Sequence, residues 1–152
     1  MFPTRPRPAA RCARGFTLVE VTIATAIVAI LATVALPSSL TPILQARRVD
    51  AVTAIVQLQH AQERFRLQNA HYAALPQLGL PAASPRGHYR LAVEDESPRG
   101  YAVMAVAQGL QQRDAACRVL RLEVTGGLVR YESGADDSAA NDDGQNRRCW
   151  RL

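Results

Sequence analysis

The distribution of hydrophobic and polar residues divides the chain into three parts. Residues 16–36 form an almost uninterrupted apolar run of 21 residues, close to the ~20 that span a bilayer as a helix. Residues 37–70 repeat apolar side chains every three or four positions, which predicts an amphipathic helix that continues the first one as a spine. Its apolar stripe consists of Leu44, Ala51, Ile55, Leu58 and Phe65, and its polar positions include Arg47, Arg48, Asp50, Glu63, Arg64 and Arg66.

Proline and glycine mark the limits of this spine. Pro37 and Pro42 each lack an amide donor, so we expect the helix to bend or loosen between them. It should end near Asn69 or Ala70, because His71 leads into a segment where proline and glycine cluster.

Beyond residue 70 the pattern changes to short segments typical of strands. Alternation of apolar and polar side chains predicts strands near residues 89–93, 120–124 and 129–131, and a continuous apolar run predicts one at residues 101–107, which makes four antiparallel strands. Gly126 and Gly127 separate the last two and indicate a hairpin turn. The predicted fold class is therefore α+β, with a long N-terminal helical spine packed against a small antiparallel sheet of about four strands.

The basic character of the chain is concentrated before Gly15. The sequence has 18 arginines, no lysine and 13 acidic residues, which gives a formal net charge of +5. Because four arginines precede Gly15, the 14 that follow nearly balance the acids. Once such a leader is removed, net charge gives no argument for nucleic-acid binding.

A single carboxylate, Glu20, interrupts the apolar run. A charge in the hydrocarbon core costs about 2.5 to 3.5 kcal/mol, so this residue indicates a functional position that needs a partner. Arginines on the N-terminal side place the leader in the cytoplasm and the chain after Pro37 outside. An ordinary secretory signal, cleaved at a site such as Thr33-Val34-Ala35, is the alternative, but its apolar region is usually only ~7 to 15 residues long.

The sequence Gly15-Phe16-Thr17-Leu18-Val19-Glu20, between a basic leader and a long apolar segment, resembles the class III signal of type IV prepilins and type II secretion pseudopilins. The resemblance implies that a prepilin peptidase cuts between Gly15 and Phe16 and methylates the new N-terminal Phe16. It also implies that Glu20 and Pro37, the family's helix proline, act in assembly. The pilin fold that the family shares agrees with the predicted α+β class.

The cysteine count points to one disulfide in the exported part. Removal of the leader takes away Cys12 and leaves Cys117 and Cys149, which should pair in an oxidising compartment. The polar segment between them resembles the disulfide-bounded C-terminal loop of type IV pilins. The terminal Cys149-Trp150 is most similar to the short PilE-like minor pilins.

A small basic and aromatic cluster lies at the C-terminus. Arg147, Arg148 and Arg151 could meet phosphates, and Trp150 could stack on a base. Some minor pilins of this type are DNA-uptake receptors, so DNA is an alternative partner. Against it, ten arginines face ten acids from residue 70 onward, and a tryptophan is usually packed.

The sequence contains no pattern for catalysis or for a cofactor. GxSxG, phosphate-loop and HExxH motifs are absent, so we expect no catalytic residue and no enzyme. The three histidines lack metal-ligand spacing, and we expect no metal. The acidic loop around Asp136, Asp137, Asp142 and Asp143 could offer oxygens to Ca²⁺, but it does not fit an EF-hand, and a solvated loop is the simpler interpretation.

The sequence thus predicts a type IV minor pilin that supports pilus biogenesis, twitching motility and adhesion. The alternatives are a DNA-binding minor pilin for natural transformation and a type II secretion pseudopilin. Expected partners are the prepilin peptidase, other pilin subunits and the inner-membrane assembly platform. We expect an inner-membrane prepilin with a periplasmic head, then an extracellular pilus. The predicted parts are a leader (1–15), a transmembrane and filament-core helix (16–36), an amphipathic helix (37–70) and a globular β-sheet head (71–152).

Overall fold

The computed structural model describes residues 16–38 and 40–151. Contacts divide the chain into two compact units, which meet at the junction of residues 38 and 39. The leader, with Gly15 and Cys12, lies outside the described residues.

The N-terminal unit contains helix α1, Leu18–Ser38. Thr17 caps it, because its Oγ1 accepts a hydrogen bond from the Glu20 amide at 3.3 Å. The hydroxyls of Thr22, Thr25 and Thr33 donate to helix carbonyl oxygens, which satisfies these polar groups inside an apolar helix.

In the part of the chain that the structure describes, no helix combines the length and the hydropathy needed to cross a bilayer. The transmembrane segment expected over residues 16–36 stays a prediction.

The second unit begins with helix α2, Leu40–Asn69, which ends where the sequence predicts. Pro42 lies in its first turn, where a missing amide donor costs nothing. The predicted apolar stripe is buried at Leu44, Ala51, Ile55 and Leu58, while Phe65 is only half-buried.

The sheet consists of β1 (Tyr89–Glu94), β2 (Gly100–Ala107), β3 (Val119–Thr125) and β4 (Leu128–Gly134), in the order β1-β2-β3-β4. All neighbouring strands are antiparallel. The core between α2 and the sheet includes Ile55, Leu58, Tyr89, Tyr101 and Leu122. The predicted α+β class is confirmed.

The β3–β4 hairpin confirms the predicted glycine turn. Thr125 pairs with Leu128, so Gly126 and Gly127 alone form the turn. Both have positive φ angles, 59° and 86°, a conformation that suits the twist of a two-residue hairpin. Side chains with a Cβ rarely adopt it.

Two features of α2 differ from the sequence prediction. Arg48 and Asp50, which the pattern places on the polar face, are 8% and 6% exposed. The segment around residues 84–88 covers Asp50, and a 3-10 region covers Arg48. This region comprises Gly109–Arg113 and Ala115–Cys117. Periodicity within a helix cannot reveal such coverage.

The C-terminal segment also departs from prediction. A helix, α3 (Asp143–Trp150), replaces the expected loop. Asp142 caps its N-terminus by accepting a hydrogen bond from the Gln145 amide at 2.7 Å. Cys117 ends a 3-10 turn just before β3. Six of the eight residues of α3 are neither apolar nor buried, so its sequence lacks a helical stripe.

Candidate nucleic-acid interface

The arginines of α3 form one wall of a cleft that α2 closes. The cleft has a volume of about 490 Å³. Among the residues described, no carboxylate side chain lines it. We call it the arginine cleft, and its lining residues are Gln45, Arg48, Gln145, Arg147, Arg148 and Arg151.

Arg147, Arg148 and Arg151 are exposed, as the sequence interpretation requires for contact with a phosphate. Arg147 lies in the last turn of α3, and Arg151 follows the helix directly in a left-handed conformation, with its amide donating to the Arg147 carbonyl oxygen. Guanidinium groups suit phosphate because their planar forks donate two hydrogen bonds to one anion.

A disulfide holds this helix to the rest of the unit. Cys149 is bonded to Cys117, with a Cα–Cα distance of 5.5 Å, and both side chains are buried. The pairing predicted from the cysteine count is therefore seen in the structure. It fixes the segment that carries all three arginines.

Trp150 takes a different position from its neighbours. It is 5% exposed, and its ring centroid lies 5.0 Å from that of Tyr131 in an edge-to-face arrangement. Its indole N–H donates to the Glu132 carbonyl oxygen. The face of this ring is therefore not available to a base, and the stacking hypothesis for Trp150 is not supported.

Acidic residues lie at both ends of the sheet, and four aspartates lie between the end of β4 and the first turn of α3, namely Asp136, Asp137, Asp142 and Asp143. The arginine cleft lies near the end of the sheet where β4 finishes and β3 begins, because α3 contacts both β4 and the 3-10 turn before β3. Glu94, Asp95 and Glu96 lie at the opposite end, in the β1–β2 connection. The arginine cleft is thus a local cationic feature, and none of these acidic side chains lines it.

The acidic loop is engaged in local hydrogen bonds. Asp136 Oδ1 accepts from the Ser138 hydroxyl and amide, and these bonds lower the pKa of the Asp136 carboxyl. Asp142 caps α3. Within residues 16–38 and 40–151, no group of three or more His, Cys, Asp or Glu side chains is placed to hold a metal ion.

The residues predicted for processing and assembly belong to the N-terminal unit. Gly15 is outside the described residues, and Phe16 precedes α1 with its side chain 80% exposed. Glu20 lies in the first turn of α1, where a negative charge is favoured by the helix dipole. Pro37 lies in the last turn of α1. Their roles stay predictions.

Sequence reasoning missed Arg48 and Gln45 as members of the site. Because Arg48 is a charged residue of an amphipathic helix, the sequence pattern places it on the solvent-exposed face. Its pairing with Asp114 spans 66 positions of sequence, and a helical pattern contains no signal for such a contact.

Comparison with known families assigns both parts of the chain. Residues 10–36 match the prokaryotic N-terminal methylation motif. Residues 37–121 match the family described as type IV minor pilin ComP, DNA uptake sequence receptor. No curated protein matches the chain. Because the second match covers more than half of the sequence, the chain belongs to this family of type IV minor pilins.

Proposed function

We propose that this minor pilin binds DNA on the pilus through its arginine cleft. The single observation that carries the proposal is that three exposed arginines, Arg147, Arg148 and Arg151, line one cleft that has no lining carboxylate among the described residues. The printed description of the family, a DNA uptake sequence receptor, supports the same role. The role requires binding and assembly, and no catalysis.

Phosphate is the chemical group that the cleft suits best. Double-stranded DNA carries one negative charge per about 1.7 Å of helix axis, so several phosphates fall within reach of neighbouring arginines. Arg147 and Arg148 lie in the last turn of α3, Arg151 follows it directly, and all three are exposed. Such contacts position the protein on DNA, whereas sequence preference needs contacts with base edges.

The N-terminal unit supports the assembly part of the function. The matched methylation motif implies a pilin that is anchored in a membrane before it enters an extracellular pilus. Processing by the prepilin peptidase, anchoring in the inner membrane and contact with other pilin subunits follow from this family assignment as proposals. A purely structural minor pilin and a type II secretion pseudopilin would share this unit and would not need the arginine cleft.

The salt dependence of DNA binding tests the proposal. The full chain in detergent would be titrated into a labelled duplex at several salt concentrations, with fluorescence anisotropy as the readout. Each phosphate contact contributes about 0.9 to the slope of log K against log salt for B-DNA. The triple variant Arg147→Gln, Arg148→Gln, Arg151→Gln should bind more weakly and show a shallower slope.

A matched triple variant controls for total charge. Arg64, Arg99 and Arg130 are exposed and do not line the cleft, so Arg64→Gln, Arg99→Gln, Arg130→Gln removes the same charge elsewhere. This control should keep most of the affinity and slope. Equal losses in both triple variants, or no binding by the native chain at low salt, would refute the proposal.

A further inference from the structure

Arg48, which lines the arginine cleft, forms a buried ion pair with Asp114 of the 3-10 region. Arg48 Nε donates to Asp114 Oδ2 at 2.6 Å, and Arg48 Nη2 donates to Asp114 Oδ1 at 2.7 Å. Both residues are 8% exposed. The two parallel hydrogen bonds hold the guanidinium plane in one orientation.

The same guanidinium also holds α3. Arg48 Nη1 donates to the carbonyl oxygen of Arg148 at 3.0 Å. This carbonyl lies in the last turn of α3, where backbone acceptors lack a partner within the helix and the dipole favours a positive charge. One side chain of α2 therefore fixes the end of the helix that carries Arg147 and Arg151.

Asp114 is itself fixed from the other side. Gln111 Nε2 lies 3.2 Å from Asp114 Oδ2, 2.9 Å from the Tyr89 hydroxyl and 3.0 Å from the Leu44 carbonyl oxygen. Gln111 is completely buried. The network thus connects α2, β1, the 3-10 region and α3, and a shift of any one of them would break a buried polar contact.

Arg48 differs in role from the exposed arginines of the cleft. Its charge is neutralised by Asp114 at close range, and three of its nitrogens already donate within the protein. A phosphate at Arg48 would have to compete with a buried carboxylate. The ion pairs of the described residues include none with Arg147, Arg148 or Arg151.

We propose that the Arg48–Asp114 pair is a positioning element that aims the α3 arginines at DNA and does not itself contact the phosphates. The proposal rests on the DNA-binding function proposed above. It predicts that the geometry of the pair matters more for binding than the charge of Arg48.

The variant Arg48→Lys separates charge from geometry. Lysine keeps the charge, but its single ammonium group cannot reproduce the fork on Asp114 together with the bond to Arg148. We expect DNA affinity to fall roughly tenfold and the salt slope to become shallower, because the α3 arginines lose their common orientation. Arg47→Lys is the matched control, since Arg47 is the preceding residue of α2 and does not line the cleft.

The variant Asp114→Asn distinguishes the positioning role of the ion pair from an effect of net charge on DNA binding, because the two predict opposite changes in affinity. It removes a negative charge behind the cleft, so a site governed by net charge alone would bind DNA more tightly. The positioning role predicts weaker binding, because an amide replaces the charged partner of Arg48. Tighter binding by Asp114→Asn would therefore overturn the proposal.

Hydrogen exchange supplies a readout that is independent of DNA. In Arg48→Lys, amides in the last turn of α3 should exchange faster while those of β2 and β3 keep their protection. Unchanged affinity and slope in Arg48→Lys would refute the positioning role, provided that the native chain binds DNA. Absence of binding by the native chain would instead refute the proposed function.

Discussion

Trp150 donates its indole N–H to the carbonyl oxygen of Glu132 at 2.8 Å, which ties α3 to the edge strand β4. The neighbouring residues Arg148 and Arg151 lie in the cleft while Trp150 faces inward. Arg148 and Trp150 lie on different sides of α3 because successive helical residues are rotated by about 100°, and Arg151 follows the helix in a left-handed conformation. The C-terminal cluster therefore separates into exposed cations and a buried aromatic anchor.

Replacement of this anchor should affect stability and leave DNA binding intact. Trp150→Phe removes one hydrogen bond and some buried volume, so we expect a loss of about 1 to 3 kcal/mol in the free energy of unfolding. Urea denaturation would measure it. Below the midpoint of unfolding, DNA affinity should match that of the native chain, and a large loss in the folded variant would show that Trp150 contacts DNA.

The disulfide should contribute most of the stability of the C-terminal segment. It closes a loop of 32 positions, for which the chain-entropy model gives about 3.7 kcal/mol. The double variant Cys117→Ser, Cys149→Ser should unfold at lower urea concentration by a corresponding amount. Peptide mapping without reductant should recover the linked pair, and two free thiols would contradict the assignment.

Two buried tyrosines should respond in opposite ways to loss of the hydroxyl. Among the residues described, the Tyr101 hydroxyl has no hydrogen-bond partner, whereas Gln111 donates to that of Tyr89. The Tyr101 hydroxyl is buried without a compensating hydrogen bond within the described part of the chain, so its removal in Tyr101→Phe should leave the free energy of unfolding unchanged or raise it. Tyr89→Phe removes an accepted hydrogen bond and should cost about 1 kcal/mol. Thermal unfolding at pH 7 would compare them.

The same tyrosines should make the protein sensitive to alkali. Burial raises the pKa of Tyr89 to about 12 from the ordinary value of 10, and burial also raises the pKa of Tyr101. A raised pKa in the folded state means that stability is complete below pH 10 and is lost as the pH rises towards 12. Tyr101→Phe should reduce this loss in unfolding experiments between pH 9 and pH 12. A loss equal to that of the native chain would contradict the assignment.

Processing should begin the mature chain at Phe16. Mass spectrometry of protein isolated from cells should find monomethylated Phe16 at the N-terminus, as the matched methylation motif implies. A mature N-terminus near residue 36 would indicate ordinary signal cleavage.

Glu20 should act in assembly rather than in processing. Cleavage after Gly15 creates an ammonium group on Phe16, four residues before Glu20 and therefore one helical turn away. In a filament, a subunit out of register would leave one of these charges without a partner. Glu20→Ala should be processed normally but be missing from pili, and Glu20→Asp should be partly defective. Immunoblots of sheared pili beside whole-cell membranes would show it, and normal incorporation of Glu20→Ala would refute this role.

The sequence was sufficient for those parts of the fold that depend on local patterns. Alternation located β1, β3 and β4, a continuous apolar run located β2, and a pair of glycines located the β3–β4 turn. The spacing of Ile55 and Leu58 correctly identified the buried face of α2. These signals are local because each strand or helix must present its own apolar side to the core.

The parts that depend on contacts between distant residues were not predictable. Arg48 and Asp50 are buried because segments far along the chain supply their partners, Asp114 and Ser84. The helix α3 has no apolar stripe and depends on Asp142 as a cap and on the disulfide. The sequence indicates the cluster of C-terminal arginines, but it contains no signal that Gln45 and Arg48 of α2 line the same cleft.

The disulfide between Cys117 and Cys149 would also determine where a mechanical force on DNA, bound at the proposed site, enters the head. Tension applied at Arg147, Arg148 or Arg151 would reach the covalent bond within a few residues and pass to the segment directly before β3. Since β3 lies between β2 and β4, the load would enter an interior strand held by hydrogen bonds on both sides. Without the bond, the same tension would peel α3 away from an edge strand one contact at a time. The disulfide is thus placed to make the proposed DNA-binding end mechanically resistant.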